Sequence, residues 1–408
     1  MTTKNIMAQL ISIDDLTKNK PIPRHTFALF ELGFRPFFLL GSVLAFLIII
    51  PWVLTLHGVL SASILAPNYS TWWHAHEMIF GFALAIIMGF LLTAAQNWTG
   101  VPSARGGLLI GLVGLWLLPR MGLATLAAFS QFPLWLWALC DLAATLGVTL
   151  VLARMIVKVK QWRNAPFLLI MAVFAVLNIM SYYAHASGQI AWATQIHYAA
   201  VWLIAIVVNL MGGRVIPAFT QSAVKYGRKP ESPWLLRLTS IGLVLMGLAW
   251  LFDLTMALRI VAGFTAVALF YRWHLWGWYA TGRTPLLWSL HVSFVALPLA
   301  CALLAIGYPS SGALHLLTIG AIAGLIIAMM SRVSLGHTAR MLVAPRWMKL
   351  AYASIIIAAA LRALAAYWPQ AYLPLIDASV LFWLIAFGCF LVYYTPMLLR
   401  SRLDGKRG

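Results

Sequence analysis

The chain has 408 residues, of which 63% are hydrophobic and only 9% are charged, with a formal net charge of +19. A soluble domain normally has about 25% charged residues, and a single core cannot bury this much apolar surface, so a soluble globular protein is excluded. The positive charges lie in short segments between apolar runs and form no basic stripe with exposed aromatic residues, which excludes a nucleic-acid-binding protein. The composition predicts an all-α protein embedded in a lipid bilayer.

Residues 1–33 are predicted to form a cytoplasmic N-terminal tail. Its first part, Met1 to Pro23, is polar and lacks the apolar region of a cleaved signal peptide. We therefore expect the first apolar run to act as an uncleaved signal.

A long series of apolar runs follows this tail. A helix needs about 20 apolar residues to cross the hydrocarbon core of a bilayer, and runs of this length can satisfy their backbone groups there only as helices. Twelve such runs lie at residues 34–56, 71–97, 104–123, 131–157, 165–187, 189–211, 232–254, 256–278, 284–306, 311–332, 347–366 and 373–399. The sequence thus predicts a single twelve-helix membrane domain, 34–399, with a basic cytoplasmic loop at 214–232 and a cytoplasmic C-terminal tail at 400–408.

The basic residues orient these twelve spans. Lys and Arg accumulate in the cytoplasmic connections of membrane proteins. Of the 28 Lys and Arg residues, only Arg120, Arg259 and Arg362 fall on the other side when the spans alternate. Both termini are therefore predicted to be cytoplasmic.

The three cysteines, Cys140, Cys301 and Cys389, lie singly inside apolar runs. A disulfide framework or a cysteine metal site needs organised pairs. We interpret these residues as buried packing residues.

Ten histidines carry most of the functional information, because ionisable side chains inside a membrane are costly and usually functional. Four fall toward the cytoplasm: we expect a structural role for His291 and solvated positions for His25, His274 and His337. Six fall toward the external face, namely His57, His74, His76, His185, His197 and His315.

The second span opens with the sequence Trp-Trp-His-Ala-His-Glu, residues 72–77. Because residues two apart on a helix point about 200° apart, His74 and His76 are predicted to serve different sites on opposite flanks. Glu77 is the candidate catalytic residue, either orienting one imidazole by accepting its other N–H or handling protons. His185 ends the fifth span, and Tyr182 precedes it by one turn, so both can reach the same outer layer.

The histidines of spans 2, 6 and 10 suggest an internal repeat. His74, His197 and His315 each precede a methionine by fourteen residues (Met88, Met211 and Met329). This spacing predicts three weakly similar four-helix units, 34–157, 165–278 and 284–399, around a pseudo-threefold axis. Imidazoles at one depth on facing helices can ligate haem iron or copper. The alternative is that each histidine only forms a hydrogen bond to a neighbouring helix.

Five short motifs are spread over nearly the whole chain: Phe30–Phe38 (FELGFRPFF), Trp73–Met78 (WHAHEM), Gln96–Gly100 (QNWTG), Gly213–Pro217 (GRVIP) and Arg332–Thr338 (RVSLGHT). They resemble motifs of the NnrS family, whose members are bacterial inner-membrane proteins that contain haem and copper and are associated with the response to nitric oxide. The resemblance implies these cofactors, this location and nitric oxide as a ligand.

The layout is also similar to that of the catalytic subunit of haem-copper oxidases and nitric oxide reductases. That subunit has twelve core helices in a pseudo-threefold arrangement, with metal ligands on helices 2, 6 and 10. The present chain differs in having its His-x-His pair on helix 2 and no paired histidines on helix 7, which argues against a standard three-histidine copper site.

The leading functional hypothesis is a membrane redox protein that binds nitric oxide at a haem and copper centre and reduces or otherwise detoxifies it. One of His74 and His315 would ligate haem between helices 2 and 10. The second metal would bind His76 and His197, with His185 as a further candidate ligand. The outer arginines Arg120, Arg259 and Arg362 are the candidate partners for haem propionates, and the electron donor is unknown.

Proton pumping is not expected, because Asp141, Asp253 and Asp377 lie at mid-depth or toward the exterior. Two other hypotheses remain open. The first is a transporter of a metal or small metabolite, which would need polar groups on both sides of the histidine layer. The second is a non-catalytic haem-based sensor that signals through its short cytoplasmic loops.

Overall fold

The computed structural model describes residues 27–60, 70–124, 133–224 and 231–405. These ranges contain twelve helices that are long and apolar enough to span a membrane, which confirms the prediction of an all-α, multi-pass membrane protein. They contain no β-strand, only an isolated bridge between Phe27 and Arg400. The helices are α1 (Phe34–Leu56), α2 (Thr71–Thr99), α3 (Gly106–Ala124), α4 (Leu134–Lys158), α5 (Trp162–Ala186), α6 (Ile190–Ala223), α7 (Pro233–Leu251), α8 (Thr255–His274), α9 (Pro285–Ala305), α10 (Ser310–His337), α11 (Arg346–Ala365) and α12 (Pro369–Leu399).

The helix boundaries agree closely with the predicted spans except at the C-terminal ends of α6 and α10. The predicted loop at 214–232 is wrong over residues 214–223, because α6 continues without a break to Ala223. Arg214 ends the apolar run, but its side chain has partners on α5. Arg214 Nη1 donates a hydrogen bond to Asn164 Oδ1 at 3.0 Å, and the guanidinium carbon of Arg214 lies 5.3 Å from the Phe167 ring. The helix therefore continues beyond the apolar window. Residues 225–230 of the predicted loop lie outside the described ranges, as does most of the predicted N-terminal tail.

The helices pack as a closed ring around an inner group. α5 packs on α4, α9 on α8, and α1 on α12, so each predicted four-helix unit contacts the next in the same way. In the interior, α2 contacts α6, α6 contacts α10, and α1 contacts both α2 and α10. This pattern suits three units around one axis; the repeat itself stays a prediction.

Two inner helices are locally wound as π-helix. The π-helical segments are Glu77–Ala83 in α2 and Leu316–Ala323 in α10, and each begins directly after a histidine, His76 or His315. Segments of this kind are rare and occur frequently at functional sites. The two helices share this winding, whereas α6 is α-helical throughout.

Arg35 of the FELGFRPFF motif ties the start of the membrane domain to its end. The last carbonyl groups of a helix have no partner within the helix. The buried Arg35 donates from Nη1 to the carbonyl oxygens of Leu398 at 2.9 Å and Arg400 at 2.8 Å, just where α12 ends.

The three cysteines are free thiols; Cys301 is buried and the other two are half-buried.

Candidate functional site

The two histidines at the start of α2 face opposite sides of the helix. The ring of His74 stacks on Trp52 of α1, with centroids 4.5 Å apart. His76 is fully buried and faces α5 and α6. The spacing of two residues therefore directs one imidazole into each of two separate environments.

Both nitrogens of His76 have partners. Its Nδ1 lies 3.0 Å from Glu77 Oε1, and its Nε2 lies 2.8 Å from Asn178 Oδ1 on α5. Carboxylate and amide oxygens only accept, so in this geometry both ring nitrogens are placed as donors, Nδ1 to Glu77 and Nε2 to Asn178. The side chain of Glu77 thereby fixes the orientation of the His76 ring.

His197 of α6 approaches the same face of α5. Its Nε2 lies 2.7 Å from Ser181 Oγ, and that oxygen also accepts a hydrogen bond from Trp72 Nε1 at 3.0 Å. The serine hydroxyl then has its own proton to donate to His197 Nε2. Because Asn178 and Ser181 are three residues apart, they share one helix face. The Nε2 atoms of His76 and His197 thus converge on one polar stripe, with ring centroids 6.4 Å apart.

A buried ionic network supports this pair from the side of α3 and α4. Arg120 Nε lies 2.9 Å from Glu77 Oε2, and Arg120 Nη2 donates to Asp141 Oδ2 at 2.6 Å. Tyr182 donates its hydroxyl to the same Asp141 oxygen at 2.9 Å. We name Glu77, Arg120 and Asp141 the ionic network. Its two carboxyl groups share one guanidinium, so one negative charge has no partner within the network when both carboxyl groups are ionised.

An excess charge of this kind is costly inside a membrane protein. A cation close to the ionic network would offset it. His76 is the group best placed to hold one, since its Nε2 lies 4.0 Å from Asp141 Oδ2. That cation can be a second proton on the imidazole or a metal ion bound to Nε2.

The indole ring of Trp72 packs against this pair. Trp72 stacks with His76 at 4.7 Å and with His185 at 4.2 Å between ring centroids. The stacking contact with Trp72 places His185 beside His76 and His197. His185 lies on the same polar face of α5 as Asn178 and Ser181.

A second group forms around His315 on α10. Its Nδ1 lies 2.6 Å from the carbonyl oxygen of Ser311, and Arg362 of α11 donates to Ser311 Oγ at 3.3 Å. Since a carbonyl only accepts, the Nε2 of His315 is left with a lone pair. His74 and Arg362 both lie close enough to His315 to act on it electrostatically.

Two nitrogen atoms of this second group are buried without a hydrogen-bond partner among the described residues. They are His74 Nδ1 and Arg362 Nη1. Buried polar atoms are nearly always paired in folded proteins, so these two atoms indicate a place for a polar or metal-bearing ligand.

The structure sorts the predicted site residues into two groups. Glu77, His76, His197 and His185 lie on the α5 side of α2, and His74 and His315 lie on its α1 and α10 side. The expectation that Arg120 serves a propionate is not supported, because both carboxylates of the ionic network already engage it. Arg259 is exposed on α8, which leaves Arg362 as the arginine nearest the predicted ligands.

Two residues of the site, Asn178 and Ser181, were not singled out from the sequence. The signal that points to them is a polar stripe on the otherwise apolar α5, at helical spacing. It consists of Asn178, Ser181, Tyr182 and His185. The pairing of Arg120 with Asp141 was also missed, because the two residues belong to different spans.

The remaining histidines lie elsewhere. His57 pairs with Asp377 at 2.8 Å between α1 and α12, and the buried His291 lies 2.9 Å from Thr220 Oγ1 on α6. His274 is exposed at the end of α8. The expectation that His337 is a solvated loop residue is wrong: it is half-buried and ends α10, with its ring 5.5 Å from that of Phe34. His25 lies outside the described residues.

Within the described ranges, no group of three or more His, Cys, Asp and Glu side chains is arranged to hold a metal ion. The imidazoles instead lie in pairs, His76 with His197 on the α5 side of α2 and His74 with His315 on the other side. Trp72 and the polar stripe on α5 lie between the imidazoles of the α5 side. A three-histidine copper site is therefore not preassembled in this part of the chain.

The fold and the buried histidine site define a multi-pass membrane protein with a polar centre at one end of its inner helices. A sequence model described as NnrS protein matches residues 28–402. Because this match covers nearly the whole chain, the protein belongs to the NnrS family and is a protein of the nitric oxide response. A search of curated proteins found no match.

Proposed function

We propose that this protein binds haem and copper near the outer face of the bacterial inner membrane, with both termini in the cytoplasm, and that it binds nitric oxide there and removes it. One observation carries the proposal. Two imidazole Nε2 atoms, from His76 and His197, converge beside an ionic network in which two carboxyl groups share one guanidinium.

The residues on the α5 side fit a copper ion. Imidazole nitrogen is a ligand that copper accepts, and the donor set would be His76 and His197, with His185 nearby. Metal-bound histidines almost always donate their second N–H to a carboxylate, a backbone carbonyl or water, and His76 makes the first of these contacts with Glu77. The excess carboxylate of the ionic network favours a bound cation over an empty site.

The residues on the α10 side fit a haem. His315 has its Nε2 lone pair available because Nδ1 donates to the Ser311 carbonyl. His74 and Arg362 each have a buried nitrogen without a described partner. Iron would take an imidazole of His74 or His315, and a propionate would take the Arg362 guanidinium.

The chain's own residues would hold these groups, exclude water and manage protons. When bound, the metals would offer nitric oxide a coordination position and electrons from an external donor. Glu77 contacts His76 on one oxygen and Arg120 on the other, so its Oε1 is placed to accept a proton from His76 Nδ1. Nitric oxide is small and uncharged, so it can reach the site through the lipid between helices.

The transporter hypothesis predicts a polar path that continues beyond the histidine layer. Further along α2, α6 and α10, the described side chains surround an apolar cavity instead. This arrangement favours a fixed cofactor over a translocation route for a metal or polar metabolite.

The proposal is tested by the visible absorption spectrum and metal content of the purified protein. We expect a Soret band that shifts on addition of nitric oxide, bound copper, and loss of nitric oxide from solution when ascorbate supplies electrons. Purified, folded protein that is colourless and free of metal would contradict the proposal and favour transport.

A further inference from the structure

A cavity of about 90 Å³ lies among the inner helices, away from the histidines. Its walls come from α1, α2, α6 and α10, and every lining side chain is apolar. They include Phe38, Ile86, Ile204, Val208 and Met329.

The cavity lies below the histidine layer on the same helices. Ile204 follows His197 by seven residues, about 10 Å along the axis of α6, and Ile322 follows His315 by seven residues on α10. The cavity and the two histidine groups therefore share the interface of α2, α6 and α10.

The chemistry of the walls restricts the occupant. A buried water needs two to four polar partners, and these walls provide none. The volume equals that of about three water molecules at roughly 30 Å³ each, which is enough for a small gas molecule and too little for a lipid acyl chain. Dry apolar cavities of comparable size, about 150 Å³, bind xenon or benzene.

We propose that this cavity is a binding site for a small, uncharged, apolar gas, and that nitric oxide occupies it on the way to the histidine site. The second part rests on the proposed function. The half-buried lining residues Phe90, Val215 and Ile326 leave the cavity partly open, so a gas dissolved in lipid can enter.

Xenon-pressurised crystals of the full-length protein test the cavity directly. We expect an anomalous xenon peak among α2, α6 and α10 in the wild type and its loss in Val208→Phe, whose ring would fill the space. The matched control Val292→Phe lies on the exposed face of α9 and should keep the peak. Met329→Ala enlarges the cavity and should raise xenon occupancy, which keeps the test decisive if Val208→Phe fails to fold.

A wild type without a xenon peak there, or with ordered water or an acyl chain in the cavity, would overturn the proposal.

The link to nitric oxide is tested separately by stopped-flow measurement of nitric oxide association. Val208→Phe should slow association several-fold with an unchanged Soret band, and an unchanged rate would refute the link. Protein that binds xenon but no haem would overturn the proposed function and leave the gas site in place.

Discussion

Arg120 lies between the carboxylates of Glu77 and Asp141, and all three side chains are buried in the membrane domain. Removing one partner of a buried ion pair leaves the other charge uncompensated, which costs about 3–5 kcal/mol. Arg120→Met should therefore lower the free energy of unfolding by about this amount. Thermal unfolding in detergent would show it. The exposed Arg259 provides the control, and equal stability of Arg120→Met and Arg259→Met would contradict this reading of the ionic network.

Asp141 allows the excess charge to be tested apart from stability. In Asp141→Asn the amide can still accept the hydrogen bond from Tyr182, but the ionic network becomes neutral. Copper should bind about 10–100-fold more weakly, as is typical when a group behind a metal ligand is altered. Copper titration of the purified protein measures the effect. Asp377→Asn, which alters the pair with His57 near the surface, should leave copper affinity unchanged.

At the level of single residues, the sequence predicted part of the site. The neighbouring positions of His76 and Glu77 made their contact foreseeable. The contacts of Asn178 and Ser181 were not, because they depend on which face of α5 turns toward α2 and α6. A count of hydrophobic residues cannot fix the rotation of a helix whose surroundings are apolar on every side.

Among the helices, α2 contributes His74, His76 and Glu77 to the site, and its π-helical segment affects their positions. Gly81 lies inside this segment, and its carbonyl oxygen accepts a hydrogen bond from Trp116 Nε1 at 3.0 Å. A Cβ at Gly81 would lie 2.9 Å from Glu77 Oε2 and 3.2 Å from Arg120 Nη1. The absence of a side chain here makes room for the ionic network.

Gly81→Ala should therefore displace Glu77 and Arg120 and destabilise the protein by about 1–3 kcal/mol, the usual cost of overpacking. It should also weaken copper binding, because Glu77 orients His76. Gly111→Ala on α3 is the matched control, since its Cβ would meet no atom within 4 Å. If both alanine variants unfold at the same temperature, the proposed role of the segment is wrong.

The sequence predicted the existence and order of the helices because each must present a long apolar run to lipid. It did not predict the extension of α6 to Ala223, where Arg214 finds Asn164 and Phe167 as partners. The π-helical segments were also not foreseen, since an extra residue in a turn leaves hydropathy unchanged.

For the whole molecule, the distribution of Lys and Arg predicts the orientation in the membrane. Val59 follows α1 on the predicted external side, and Leu403 follows α12 on the cytoplasmic side; both are exposed. In a variant with the three native cysteines replaced by alanine, Val59→Cys should react with a membrane-impermeant maleimide in spheroplasts with intact inner membranes. Leu403→Cys should react only after this membrane is permeabilised. The reverse pattern would invert the topology and place the histidine layer at the cytoplasmic face.

The direct test of the central claim is the haem and copper content of four single variants, His74→Ala, His76→Ala, His197→Ala and His315→Ala. His76→Ala and His197→Ala should lose copper and keep haem. At least one of His74→Ala and His315→Ala should lose haem, and both should keep copper. His291→Ala, which alters a buried histidine paired with Thr220, should retain both metals. Four folded variants with the full wild-type metal content would contradict the account.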